Sequence, residues 1–171
     1  QVKFYELDEI LEHPRNTKPL FVILDALEDP QNIGAIIRTA EAVAADAVIV
    51  PKDQGAPINA TVNKTSAGAL SHMRMCRVNN INRTIELMKE KGVRVFGADM
   101  EGVKNYIDVD FTGPCAIVIG SEAKGIRQLV KKNCDELVRI PIAGCVESLN
   151  ASVSAAVVLY EALRQRLTAG S

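Results

Sequence analysis

A parallel α/β sheet of about six strands, with helices on both faces, is the fold the sequence predicts. Three observations point there. Continuous apolar runs recur: LFVIL at 20–24, AVIV at 47–50 and CAIVI at 115–119. Stretches with apolar residues at helical spacing separate them, and the links between are short. An unbroken apolar run marks a strand covered on both faces, and strand–helix alternation with short links builds a parallel sheet. The 171 residues suffice for one domain, which buries roughly 68–70% of its unfolded surface without a metal or disulfide.

The elements follow in order. Residues 1–19 are polar, contain Pro14 and Pro19, and read as an arm or the remains of an interdomain linker before a domain at 20–171. The strand at 20–24 leads to a helix marked by Ile33, Ile36, Ile37, Ala40 and Val43. Asn32 stands as its N-cap, with Pro30 opposing an earlier start. After the strand at 47–50 comes a polar stretch, 51–63, and a short helical segment ending near Leu70. A strand at 73–78 precedes a helix at 84–91, with Gly92 as its C′ residue. Strands follow at 93–98 and 115–119. Ile126, Leu129, Val130 and Cys134 mark a further helix. Residues 137–142 form a sixth strand limited by Pro141, and 149–167 form the last helix, for which Ser148 is a natural N-cap. That helix is uncharged from Leu149 to Tyr160, so it is expected to be covered on more than one side, by this chain or by a second copy.

Composition narrows the function classes. The chain is 47% apolar and 24% charged, which excludes a disordered or collagen-like chain. Twenty basic and 21 acidic residues leave a net charge of −1, so any nucleic-acid contact must come from a local patch. No apolar run reaches the ~20 residues of a membrane helix. Cys76, Cys115, Cys134 and Cys145 form no C-x-x-C pair and read as reduced, at least half-buried thiols of a cytosolic protein. His13 and His72 give no zinc spacing, and no metal is expected. The chain begins at Gln1 rather than Met, which suggests a fragment or a trimmed protein.

Ligands of such sheets sit at the carboxyl ends of strands, and three polar clusters stand there. The first follows the first strand: Asn32, Gly34 and Arg38. A glycine in a first helical turn costs ~1 kcal/mol against alanine, which a close backbone–ligand approach would explain. Arg38 could be a solvated arginine or a grip on phosphate or carboxylate. The second cluster, 119–127, is a glycine-bounded loop entering a helix; it contains Gly120 and Glu122 but no P-loop pattern, and no G-x-G-x-x-G occurs in the chain. The third, 140–152, interleaves Ile140, Ser148, Leu149 and Asn150 on a Pro/Gly-bent path, suited to a small amphipathic ligand carrying an adenine ring.

Taken together the clusters resemble the SpoU/TrmH family of RNA ribose 2′-O-methyltransferases, in the SPOUT superfamily. The likeness spans about 20–166. Its motifs are DPQNIGAIIRTAEA (29–42), IVIGSEAKGI (117–126) and RIPIAGCVESLNASVSAA (139–156), with SAGAL at 66–70; Ala123 stands where many members have glycine. The resemblance implies a C-terminal trefoil knot whose loops hold S-adenosylmethionine, with Gly120, Ile140 and Leu149 lining the pocket and Ala98 beside them. It implies a homodimer through the C-terminal helix, and structured RNA as substrate, ribosomal RNA favoured over transfer RNA. It places Asn32, Arg38, Glu122, Ser148 and Asn150 at the catalytic site. Arg38 would clamp an RNA phosphate and stabilise developing alkoxide charge, because a guanidinium ordinarily stays protonated. Asn32 and Asn150 would fix Arg38 or the ribose, Glu122 would order the second loop, and Ser148 would contact the arginine or the hydroxyl. Two readings compete. One is a catalytically silent knotted dimer that only binds RNA or cofactor. The other is a flavodoxin-like enzyme with a phosphate at 120–125, which leaves the third cluster unused.

Overall fold

The computed structural model describes residues 2–53 and 57–170. Part of the expected polar stretch at 51–63 therefore lies outside the described residues. The elements are β1 (Phe4–Tyr5), α1 (Leu7–Glu12), β2 (Leu20–Asp25), α2 (Pro30–Ala42), β3 (Ala47–Pro51), α3 (Ala60–Thr65), β4 (Met75–Val78), α4 (Ile81–Glu90), β5 (Arg94–Ala98), β6 (Lys104–Asn105), β7 (Cys115–Gly120), α5 (Gln128–Asn133), β8 (Glu136–Arg139) and α6 (Ala151–Ala169). Single 3-10 turns occupy Ala69–Ser71 and Tyr106–Asp108.

The strands form one sheet in the order β1-β4-β3-β2-β7-β5-β8-β6, every pair parallel. Six were expected; β1 and β6 are the additions, two residues each at the two edges. Residues 4–12, read from sequence as an arm, thus form an edge strand on β4 and a helix whose Ile10 is fully buried.

Strand β2 shows why the central runs are unbroken. Leu20, Val22 and Leu24 point into the core beneath α2, α3 and α6, while Phe21 and Ile23 point into the core beneath α1, α4 and α5. A two-residue period with both faces buried leaves no polar position. The chain steps from β2 outward through β3 to β4, then crosses to β5 and returns with β7 between β2 and β5. The direction of winding reverses there, and a crevice opens at such a point.

Two helix starts correct the sequence reading. Asp29, not Asn32, caps α2, accepting from Gln31 N at 2.9 Å with Pro30 as first helical residue. Proline is well suited to that position, where its missing N–H costs nothing. Asn150, not Ser148, caps α6 through bonds from the backbone N–H groups of Ser152 and Val153. In both cases the residue first assigned the cap has its side chain free for the site.

Gly34 also has a different explanation. A Cβ there would lie 1.7 Å from Thr65 Oγ1 and 2.8 Å from Thr65 Cβ, so the close approach is by α3 rather than by a ligand. Gly34→Ala is expected to overpack the α2–α3 contact and cost about 1–3 kcal/mol, read as a lower urea midpoint at unchanged m-value.

Helix α6 packs on α2 and buries Ala155, Val158, Leu159 and Ala162. Its last turns are tied down by side chains. Arg166 donates to the carbonyls of Phe111 (2.9 Å), Gly113 (2.8 Å) and Lys18 (2.6 Å), and Gln165 bonds Phe111 N and Val109 O. The cysteine expectation holds for Cys76, Cys115 and Cys134, whose thiols burial pushes up to about 12, 11 and 12. Cys145 departs from it, lying exposed on the irregular path before α6.

Candidate active site

Three loops leave the carboxyl ends of β5, β7 and β8 and enclose a cleft of about 260 Å³ with the first turn of α6. The positions singled out in sequence as cofactor contacts, Ala98, Gly120, Ile140 and Leu149, all line it, as do Glu122 and Ser148. A second, more open recess of about 900 Å³ lies against the 121–125 loop and is lined by Asn32, Asp53 and Glu122, among others. The loop is thus a wall shared by both.

Its shape comes from glycine. Gly120 ends β7, and a Cβ there would sit 2.2 Å from the Gly125 carbonyl carbon and 2.3 Å from Ile126 N. Only a bare backbone lets the loop fold back so closely, and Gly125 itself has φ +67°, a value that side chains disfavour.

Two carboxylates that sequence reasoning missed hold the loop's far end. Asp25 closes β2 and is fully buried; it accepts from Arg127 N at 2.8 Å and from Arg127 Nε at 2.8 Å. Asp99 follows β5 and accepts from Ile126 N at 3.5 Å and from Glu101 N at 2.9 Å. Lys131 reaches Asp99 at 3.4 Å and Glu101 at 2.8 Å. The Glu101 hydrogen bond holds this ammonium above its ordinary value against the opposing effect of burial, and Asp99 adds to the rise. Strands β2 and β5 both pair with β7, so the loop is fastened to each neighbour of the strand it leaves. The available signal was position: each aspartate directly follows an apolar run.

Glu122 is the hub of the polar residues. Asn32 Nδ2 donates to its Oε1, and Asn150 Nδ2 donates to the same oxygen at 3.4 Å, while Asn150 Oδ1 caps α6. Elements 90 and 28 residues from Glu122 in sequence thereby meet on one carboxylate. Arg38 stands apart. It is exposed on α2, six residues past Asn32 and so about 9 Å further along the axis. It lines neither recess, and its side chain has no hydrogen bond or ion pair among the described residues.

The third wall is main chain. Residues 142–149 make no backbone–backbone hydrogen bond among the described residues, so their N–H and C=O groups are open to a ligand or to water. Among the described residues, no group of three His, Cys, Asp or Glu is arranged to hold a metal ion, and no helix is long and apolar enough to cross a membrane.

A parallel sheet with its crevice where the winding reverses, walled by glycine-shaped and unpaired backbone, defines a nucleotide-cofactor-binding α/β domain. Comparison with known proteins narrows this. Residues 19–160 match the SpoU rRNA Methylase family, and the chain belongs to that family. It is 45% identical over 170 residues to YacO of Bacillus subtilis, a protein assigned to the TrmH family of tRNA/rRNA methyltransferases, covering 98% of this chain and 68% of the relative. It is 45% identical over 166 residues to the 23S rRNA (guanosine-2′-O-)-methyltransferase RlmB of Photobacterium profundum, covering 97% of this chain and 67% of that one. Among solved structures it resembles the SpoU methyltransferase AviRb of Streptomyces viridochromogenes in complex with the cofactor AdoMet. There the TM-score is 0.88 and the identity 32%, over 97% of this chain and 66% of that one. The chain therefore spans about two thirds of the length of these relatives.

Proposed function

We propose that this chain transfers a methyl group from S-adenosylmethionine to a ribose 2′-hydroxyl of structured RNA, ribosomal RNA by preference. The observation that carries the reading is the convergence of Ala98, Gly120, Ile140 and Leu149 on one cleft, with the Asn32–Glu122–Asn150 group at its edge. The names of the RlmB and AviRb relatives support it. The residues fit the cofactor: Gly120 leaves bare backbone at the cleft, and the unpaired main chain of 142–149 supplies donors and acceptors for an adenosine. When bound, S-adenosylmethionine supplies an electrophilic methyl on a sulfonium. In this reading the trefoil crossing is formed where the 140–150 path passes the 98–102 and 120–126 loops.

The chain's own groups do the positioning. Asn32 and Asn150 both end on Glu122 Oε1, which leaves Oε2 to orient a ribose hydroxyl. Arg38 offers a permanent cation to an RNA phosphate and to alkoxide charge as it develops. Ser148, on the cleft wall, contacts the hydroxyl or the arginine. The catalytic domain is placed at 20–171 and its work in the cytoplasm, with residues 1–19 entering along the β1 edge of the sheet. Incubation with labelled S-adenosylmethionine and ribosomal RNA tests the reading. Label is expected in RNA as 2′-O-methyl nucleotide, and tight cofactor binding with no label would overturn it.

A homodimer through α6 is part of the proposal. Val153, Tyr160 and Leu167 are exposed at seven-residue spacing, an apolar stripe along the helix face away from the core. Tyr160→Glu is expected to convert a dimer to a monomer in sedimentation, with the circular dichroism of the fold kept.

A further inference from the structure

We propose that the recess at the β1–β4 edge is a second contact site for substrate RNA, a track for the phosphodiester backbone of a single-stranded segment. The proposal rests on the reading of the chain as an RNA methyltransferase and adds a surface that the cofactor cleft does not include. The recess has a volume of about 760 Å³. Lys3, Arg15, Arg77 and His72 line it, all exposed, and no carboxylate among the described residues does. In a chain with 21 acidic and 20 basic residues, that is a local separation of charge, which the net value of −1 conceals.

The cations are held in place without being neutralised. Arg77 lies 3.7 Å above the Phe4 ring and Lys3 lies 4.5 Å from the Tyr5 centroid. Arg15 donates to the carbonyl of His72 at 3.0 Å. None of the three has an ion pair among the described residues. The nearby carboxylate of Asp46 is fully buried and sits against Arg74 at 3.9 Å, also accepting from Arg15 N and Asn16. Ring contacts restrain a cation's position but leave its charge, so the rim presents three fixed positive points. The outer face of the Arg77 guanidinium is a plane on which an unpaired base can stack. A duplex would offer phosphates but no such base, which favours a single strand.

Position supports the same occupant. Asp53 lines the recess that holds Asn32 and Glu122, and Ile58 lines this one. Five residues of chain reach at most about 18 Å, so the two recesses lie within a few nucleotides of each other. An RNA strand whose target ribose sits beside Glu122 can lay its flank across Arg77, Lys3 and Arg15.

The test measures binding of labelled oligo(U) by fluorescence anisotropy across a salt series. The full chain is compared with K3Q/R15Q/R77Q and with the charge-keeping K3R/R15K/R77K. The glutamine variant is expected to lose about tenfold or more in affinity, and its log–log salt slope should fall by about 2, as loss of three single-strand phosphate contacts requires. The charge-keeping variant should restore the slope and only part of the affinity, because an ammonium at position 77 offers no plane for a base, and cofactor binding by calorimetry should be equal in all three. Unchanged oligo(U) affinity and slope in the glutamine variant would overturn the track, as would failure of the charge-keeping variant to restore the slope. The two readings fail separately. Wild-type methyl transfer without groove-dependent binding keeps the enzyme and removes the track. Groove-dependent binding without any transfer removes the enzyme and keeps the track.

Discussion

Arg38→Ala is expected to lower methyl transfer to RNA by about 10²–10³-fold or more, the size seen when one preorganised donor to a developing oxyanion is removed. S-adenosylmethionine affinity, measured by calorimetry, should be unchanged. The second half follows from geometry: Arg38 is exposed on α2 and touches neither the cofactor cleft nor the Glu122 group. Its bonds are left for the RNA. Arg38→Lys keeps the charge but not the planar fork, and should recover only part of the rate. A loss of cofactor affinity in Arg38→Ala would show that the side chain serves the cleft instead, and would remove it from the RNA side of the reaction.

Arg127→Ala is expected to destabilise the fold by about 3 kcal/mol, near the low end for breaking a buried pair. In a domain of this size that lowers Tm by about 6–12 °C. The reason is asymmetric burial. Arg127 is 42% exposed in its side chain and can find water, but Asp25 is at 0% and would keep one donor of those described here, the backbone N–H of residue 127. The same substitution should weaken cofactor binding, because the pair anchors the loop that carries Gly120 and Glu122. Arg127→Lys should recover less than half of the stability, since an ammonium cannot reproduce two nitrogens aimed at one carboxylate. A thermal melt beside a calorimetric titration checks both effects. A stable variant with normal cofactor affinity would show that the loop holds its shape without this anchor.

The central strands could be read from the sequence because burial on both faces removes every polar position, as 20–24 and 115–119 show. β1 and β6 could not, since two residues carry no period. The helix starts were displaced for a different reason. Asp29 and Asn32, like Ser148 and Asn150, are pairs of competent caps; at α2 Asn32 is engaged by Glu122, 90 residues away, and Asp29 takes the cap, while at α6 Asn150 caps the helix and bonds Glu122 as well. Gly34 marks a close approach to Thr65 rather than to the ligand its sequence position suggested, a neighbour that only the packing of α3 on α2 supplies. At the site, Ala98, Gly120, Glu122, Ile140, Ser148 and Leu149 lie on loops that share one cleft, whereas Asn32 and Arg38 lie on α2 outside it. The Asp25–Arg127 anchor spans 102 residues; its partners cannot be matched until the order of the strands is known. Asp99 is of the same kind, a strand-end carboxylate whose partners lie at 126 and 131.

The ties of Arg166 to the carbonyls of Lys18, Phe111 and Gly113 have a consequence for biosynthesis. The segment that emerges from the ribosome after the whole sheet both covers β7 and β5 and completes the third side of the cleft. Until it is made, the nascent chain carries an uncovered apolar surface and half a pocket. Burial of these two central strands and competence for ligand therefore arrive together, once that segment is in place.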